Sequence, residues 1–177
     1  MNKLLTIQEL KQYKDIGSKT GKTDTDKIEP IVYMAQSVDL KDYLGTAFYM
    51  DVINNQESTN YQLLMTGGTF TVNEVTYYMD GVKALLADLF MSRFILQVNT
   101  NITPFGATTK RATDSDATDR NTLKDISFQQ KEMAASKWEI IKLYLDNNKT
   151  LFPIYGKNNA CAVINAAGER RRFSVIK

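Results

Sequence analysis

Histidine is absent from all 177 residues. It is the commonest acid–base side chain near neutral pH and the commonest metal ligand, so its absence argues against catalytic triads and zinc sites. Only carboxylate, lysine or tyrosine chemistry is left open to an enzyme. Cysteine is nearly as scarce. The single Cys161 excludes an intramolecular disulfide and a cysteine-based metal cluster, and it points to a reducing cytoplasm. A surplus of one charge is missing too: 22 Lys plus Arg stand against 20 Asp plus Glu, a net +2, so wholesale nucleic-acid binding is not indicated. The opening Met-Asn-Lys-Leu-Leu-Thr lacks the apolar core of a signal peptide. A chain of this length holds one domain with a real core.

What is present begins with residues 80–98. Val82, Leu85, Leu86, Leu89 and Leu96 recur at i, i+3, i+4, i+7 spacing, and Ala87, Phe90, Phe94 and Val98 form a second apolar stripe beside them. Asp80, Lys83, Asp88 and Arg93 interrupt any run long enough to span a membrane, so this stretch reads as a central core helix. The longest helix is expected over 121–147, with Leu123, Ile126, Met133, Trp138, Ile141 and Leu145 inward. Ala134 and Ala135 would let a second helix approach closely, and Trp138 reads as a packing anchor of the pair. Leu151-Phe-Pro-Ile-Tyr-Gly156 then reads as an apolar clamp over the helix end.

The covering elements are shorter. Thr6-Ile-Gln-Glu9 has the capping-box spacing and opens a helix to about Tyr13. Residues 15–26 read as an exposed connector, and a helix carrying Ile28, Ile31, Val32 and Ala35 follows, with Pro30 in its first turn. Asp39 is expected to cap a separate short helix stopped by Gly45, with further helices at 46–54 and 61–65. Between Gly67-Gly68 and Tyr78, a hairpin turning at Asn73-Glu74 puts Phe70, Val72, Val75 and Tyr77 on one face and Thr69, Thr71, Thr76 and Tyr78 on the other. An isolated two-stranded hairpin is marginal in water, so it must lie on the helices or extend a neighbouring subunit's sheet.

Motifs for chemistry are weak. Gly17-Ser-Lys-Thr-Gly-Lys-Thr23 is one residue short of a phosphate-binding loop and lacks the preceding buried strand, so it reads as solvated linker. Asp114, Asp116 and Asp119 resemble a calcium loop only superficially: the sixth position, which needs Gly, is Asp119, and the final Glu is missing. A solvated acidic loop ahead of a helix N-terminus is the better reading. No catalytic, cofactor-binding or metal-ligating residue is assigned. Residues 99–120 read as a long polar loop of the kind that is functional or ordered by contact. The C-terminal stretch carries Arg170, Arg171 and Arg172 beside Phe173, Val175 and Ile176, which suits an extended or β arm docking on an acidic, grooved protein surface, and also suits phosphate contacts.

The fold expected is therefore mainly α. A helical bundle is built around two long helices at about 79–98 and 121–147, with a β-hairpin insert at 69–78, in one domain over 1–157. The arm occupies 158–177. This order of parts, with Asp39-Leu-x-x-x-Leu-Gly45, the Gly-Gly-plus-hairpin insert, the central helix, the polar loop and a long helix closing on Leu-x-x-Asn-x-x-x-Phe-Pro-x-Tyr at 145–155, resembles the head-to-tail connector, or adaptor, proteins of tailed bacteriophages. The resemblance extends to the form found in crAss-like phages of gut Bacteroidales and covers roughly residues 24–157.

That resemblance implies a structural virion protein at the head-to-tail interface, assembled in the host cytoplasm. Such proteins form a ring, commonly a dodecamer, beneath the portal protein, extend the channel for double-stranded DNA, and give further tail or ring proteins a docking surface, with no enzymatic step, cofactor or membrane. It assigns portal docking to the arm (Arg170, Arg171, Arg172, Phe173, Val175 and Ile176). It makes Phe70, Val72, Val75 and Tyr77 of the hairpin and Lys110 and Arg111 of the loop candidate subunit or channel contacts. The rival readings are a small helical DNA-binding protein that uses the basic tail and, less in keeping with the composition, an enzyme built on Asp114, Asp116 and Asp119.

Overall fold

A computed structural model describes residues 2–16, 22–98, 100–103, 106–109 and 119–157. Helix α1 (Ile7–Tyr13) starts where the sequence places it: the Thr6 hydroxyl accepts from the Glu9 amide at 3.2 Å, and the Thr6 amide donates to the Glu9 carboxylate at 2.9 Å. Ahead of it, Leu4 and Leu5 are buried, held by the amide of Gln36, which accepts from Leu4 N at 2.9 Å and donates to Asn2 O at 3.1 Å.

Helix α2 (Lys22–Met34) begins earlier than the connector reading allows and runs without a break through a π-helical segment, Ala35–Leu40, into α3 (Lys41–Leu44). Asp39 is therefore no N-cap, since the backbone at Leu40 is already helical at φ −63° and ψ −37°. Its carboxylate instead takes a two-pronged contact from Arg93, whose Nη2 reaches Oδ1 at 2.7 Å and whose Nε reaches Oδ2. A tertiary partner has overridden the local capping pattern. Gly45, at φ 74°, ends the run as expected.

Helices α4 (Thr46–Asn55) and α5 (Thr59–Thr66) lead to the hairpin β1 (Gly68–Val72) and β2 (Val75–Met79). Its register is the expected one, Val72 opposite Val75 and Phe70 opposite Tyr77, extended by Gly68 opposite Met79. The neck is glycine-dependent. A Cβ on Gly67 would lie 2.3 Å from Met79 O, and one on Gly81 would lie 2.5 Å from Gly67 N, so the two backbones cross in contact.

Helix α6 (Gly81–Val98) is the centre, with Val82, Ala84, Leu85, Leu86, Ala87, Leu89 and Phe90 all buried. Leu96 departs from the expected stripe and is exposed, four residues beyond the buried Ser92. Helix α7 (Arg120–Asn147) packs along α6, burying Ala134, Ile141, Tyr144 and Leu145. Met133, expected inward, is exposed, as is Ala135. Trp138 packs, as expected of it, but its ring partner is Tyr43 of α3 in an edge contact at 5.7 Å.

The apolar clamp is present. Phe152 is fully buried, with edge contacts to Phe48 at 6.0 Å, Tyr61 at 5.1 Å and Tyr144 at 5.8 Å, and Tyr155 adds a contact to Phe48 at 5.3 Å. The expected structureless loop at 99–120 is corrected in part: β3 (Thr100–Thr103) and β4 (Gly106–Thr109) form a second antiparallel hairpin. Its strands are Thr-rich, and β-branched residues favour a pleated backbone even where Pro and Gly nearby suggest a loop.

Candidate functional site

The described residues offer two kinds of feature: buried charge that locks the helices together, and strand edges and apolar surface that face outward. The first centres on Asp88, fully buried in the middle of α6. Lys14, just beyond α1, approaches Oδ1 at 2.5 Å, and Lys137 of α7 approaches Oδ2 at 2.7 Å. Both ammonium heads come in at angles outside ordinary hydrogen-bond geometry, so the contacts are chiefly electrostatic. Lys14 also donates to Gln130 Oε1 of α7 at 2.7 Å. Close by, the Ser127 hydroxyl donates to Ser92 O at 2.8 Å. These polar contacts fix the rotation and register of α7 on α6 and tie α1 to both. Asp88 enters the sequence reading only as evidence that α6 does not span a membrane; a charge in the midst of Leu85, Leu86, Leu89 and Phe90 is the signal that could have pointed to a buried ion pair.

Glu9 is held by Lys83 of α6. Burial alone would raise its carboxyl, but the Lys83 ammonium, with the Thr6 amide and hydroxyl, brings it below the ordinary value of 4.5. Burial also raises the phenols of Tyr61, which donates to the Asp51 carboxylate, and of Tyr155, which is pushed up to about 12 by burial and then by Asp146 and Glu139. No arrangement of three or more carboxylate or thiol side chains suited to a metal ion occurs among the described residues. No helix among them is long and apolar enough to cross a membrane.

The hairpin residues divide. Phe70 is buried, stacked on Tyr77 at 5.6 Å and in edge contact with Tyr144 of α7 at 5.2 Å, so its ring is spent on the chain's own core. Val72 and Tyr77 are half-buried against the same core. Val75 is exposed at the tip, and the opposite face presents Thr69, Thr71, Thr76 and Tyr78, the last 67% exposed. The turn residues Asn73 and Glu74 both have positive φ, 48° and 66°, the type I′ geometry that matches strand twist.

A groove of about 330 Å³ lies beside the N-terminal segment, lined by Leu5, Val32, Tyr33 and Gln36 among others, with the exposed Lys3–Glu29 ion pair at its rim. Asp119 caps α7 by accepting from Asn121 N at 3.0 Å. Residues 17–21 of the phosphate-loop resemblance, together with Asp114, Asp116, Lys110 and Arg111, lie outside the described residues. So do Arg170, Arg171, Arg172, Phe173, Val175 and Ile176 of the expected arm.

Residues 40–165 match the model of a family described as a family of unknown function, DUF6712. No curated protein and no solved structure matches the chain.

Proposed function

We propose that this chain, which belongs to the DUF6712 family, is a head-to-tail connector of a tailed, crAss-like bacteriophage: a structural virion protein that forms a ring beneath the portal. In this reading the ring extends the DNA channel and gives tail proteins their docking surface. The observation that carries it is a helical body locked by a buried ion-pair centre at Asp88 that holds two separate two-stranded hairpins, β1–β2 and β3–β4, neither of which has a further strand to join among the described residues. A body of that kind, rigid inside and incomplete at its strand edges, is suited to assembly. A ring of identical copies needs two different patches on each subunit, one for each neighbour. The near-neutral net charge of +2 suits a channel past which DNA must slide, since extensive phosphate neutralisation would retain it. The resemblance in order and spacing described above supports the same reading and gives the arm at 158–177 to the portal.

The test is mass measurement of the purified full chain with and without the portal and neighbouring proteins of its particle. The expected result is uptake into a ring on portal-containing assemblies. Deletion of residues 158–177 should leave helix content intact and abolish that uptake; retained uptake refutes the role of the arm. A chain that ignores the portal assembly but binds duplex DNA with steep salt dependence refutes the connector reading in favour of DNA binding.

A further inference from the structure

In a hairpin closed by a two-residue turn, the flanking pair exchanges both hydrogen bonds, and bonded and non-bonded pairs then alternate. Val72–Val75, Phe70–Tyr77 and Gly68–Met79 are thus the bonded pairs of β1–β2, and the N–H and C=O groups of Thr69 and Thr71 point away from β2, along the outer edge of β1. The backbone of β2 runs beside α7, so β1 carries the more open edge. The same alternation in the second hairpin, closed by Thr103–Gly106, turns the backbone groups of Ala107 and Thr109 outward along β4, while β3 follows directly on the end of α6.

Exposed edges are normally blunted by charged residues, proline or bulges, because an unpaired row of donors and acceptors recruits another strand. None of the four strands contains a charged residue or a proline: Gly-Thr-Phe-Thr-Val, Val-Thr-Tyr-Tyr-Met, Thr-Asn-Ile-Thr and Gly-Ala-Thr-Thr. Within one chain the two edges cannot meet. β2 leads into the start of α6 and β3 leaves its end, and a helix of 18 residues separates them by about 27 Å. Among the described residues, the strand best matched to each open edge is therefore on another copy of the same molecule.

We propose that the outer edge of β1 pairs with the outer edge of β4 in a second copy of this chain, so that two hairpins merge into one four-stranded intermolecular sheet. Each subunit then offers β1 to one neighbour and β4 to the other. The contact is heterologous and propagates head to tail, closing into a ring when the rotation permits. This deepens the connector reading by naming its subunit contact, and it is tested without any portal protein.

The experiment is sedimentation of the full chain over a wide concentration range, alone and as edge variants. Thr71→Pro and Ala107→Pro each remove one outward N–H and leave the hairpin's own bonded pairs in place. Wild type should self-associate beyond the dimer. Each variant alone should associate at least about tenfold more weakly, with its helical circular dichroism unchanged. An equimolar mixture should recover association but stop at the dimer, because T71P retains an intact β4 edge and A107P an intact β1 edge. If either proline variant fails to fold, Thr71→Lys and Ala107→Lys blunt the same edges by charge, with the same mixing result expected. A wild-type chain that stays monomeric at its highest soluble concentration, variants that associate like wild type, or a mixture that recovers nothing overturns the contact. None of these outcomes bears on uptake by the portal assembly, so the two readings fail separately.

Discussion

The Asp88 centre should respond to mutation non-additively, and the size of the effect follows from its geometry. At 2.7 Å and an effective dielectric constant near 20, one ammonium attracts the carboxylate by about 6 kcal/mol. Desolvation offsets several kcal/mol of that for each ion. Removing one lysine leaves the other in place, so Lys14→Met or Lys137→Met alone should cost about 1–2 kcal/mol. Removing both leaves a fully buried carboxylate uncompensated, a situation that costs about 3–5 kcal/mol for a single broken pair. The double variant should therefore exceed the sum of the singles by about 1 kcal/mol. Asp88→Asn should cost less than the double lysine variant, because the lysine side chains remain 14% and 21% exposed and can turn their heads to water. Urea unfolding of the full chain measures this. With a slope of about 2 kcal/mol/M, an excess of about 1 kcal/mol appears as a midpoint about 0.5 M below the additive value. Additivity within about 0.5 kcal/mol would refute a shared charge centre.

Three further outcomes are expected. Phe152→Ala should lower stability by about 3–5 kcal/mol in the same assay, since the ring is fully buried among Phe48, Tyr61 and Tyr144; a loss below about 1 kcal/mol would mean that the clamp does not belong to the cooperative core. Glu9 has a folded-state pKa below its ordinary value, so its contribution to stability is present above pH 4.5 and is lost as pH falls through the folded pKa. Thermal melting from pH 6 downward should accordingly fall less in Glu9→Gln than in wild type, and parallel curves would contradict the pairing. Tyr155, raised to about 12, should remain neutral when ordinary phenols ionise, and its contribution is lost only as pH rises toward that value. Ultraviolet titration of Tyr155→Phe should then lack a late-ionising phenol present in wild type, and an unchanged late phase would assign it elsewhere.

The long elements were legible in the sequence because their signals are local and redundant. Thr6 and Glu9 sit three apart, Gly45 and Gly67 stop helices, and the alternation of Phe70, Val72, Val75 and Tyr77 fixes a register that a shift of one residue would turn inside out. What the sequence misplaced depends on partners distant in the chain. Asp39 has the residue type and position of a cap, but Arg93, 54 residues away, takes its carboxylate and the helix continues through it. Leu96 and Met133 lie on the apolar stripes of their helices and yet face outward, Met133 beside the fully buried Ala134, so the buried face of each helix is narrower than its apolar stripe. Residues 100–109 carry loop signals and strand signals together, and only the pairing of Thr100 with Thr109 decides between them. Of the candidate site, the exposed face of the hairpin was legible from periodicity, whereas Phe70 belongs to the core for a reason periodicity does not contain, namely Tyr144 waiting on α7.

The turn of the first hairpin links that geometry to assembly and gives one more test. Both Asn73 and Glu74 adopt left-handed backbone angles. Asn tolerates that conformation, whereas for Glu it costs about 1 kcal/mol, and glycine would remove the penalty. Glu74→Gly should therefore stabilise the folded chain by up to about 1 kcal/mol in urea unfolding, since the hairpin's inner face is fixed to α7 through Phe70 and Met79 is buried at its base. If the edge of β1 is the subunit contact, a better-ordered hairpin should also strengthen self-association, because less ordering entropy is lost on pairing. A more stable chain with unchanged association would detach the hairpin from assembly and leave it a purely intramolecular brace. A chain no more stable than wild type would mean that the type I′ turn at Asn73-Glu74 is not retained in solution.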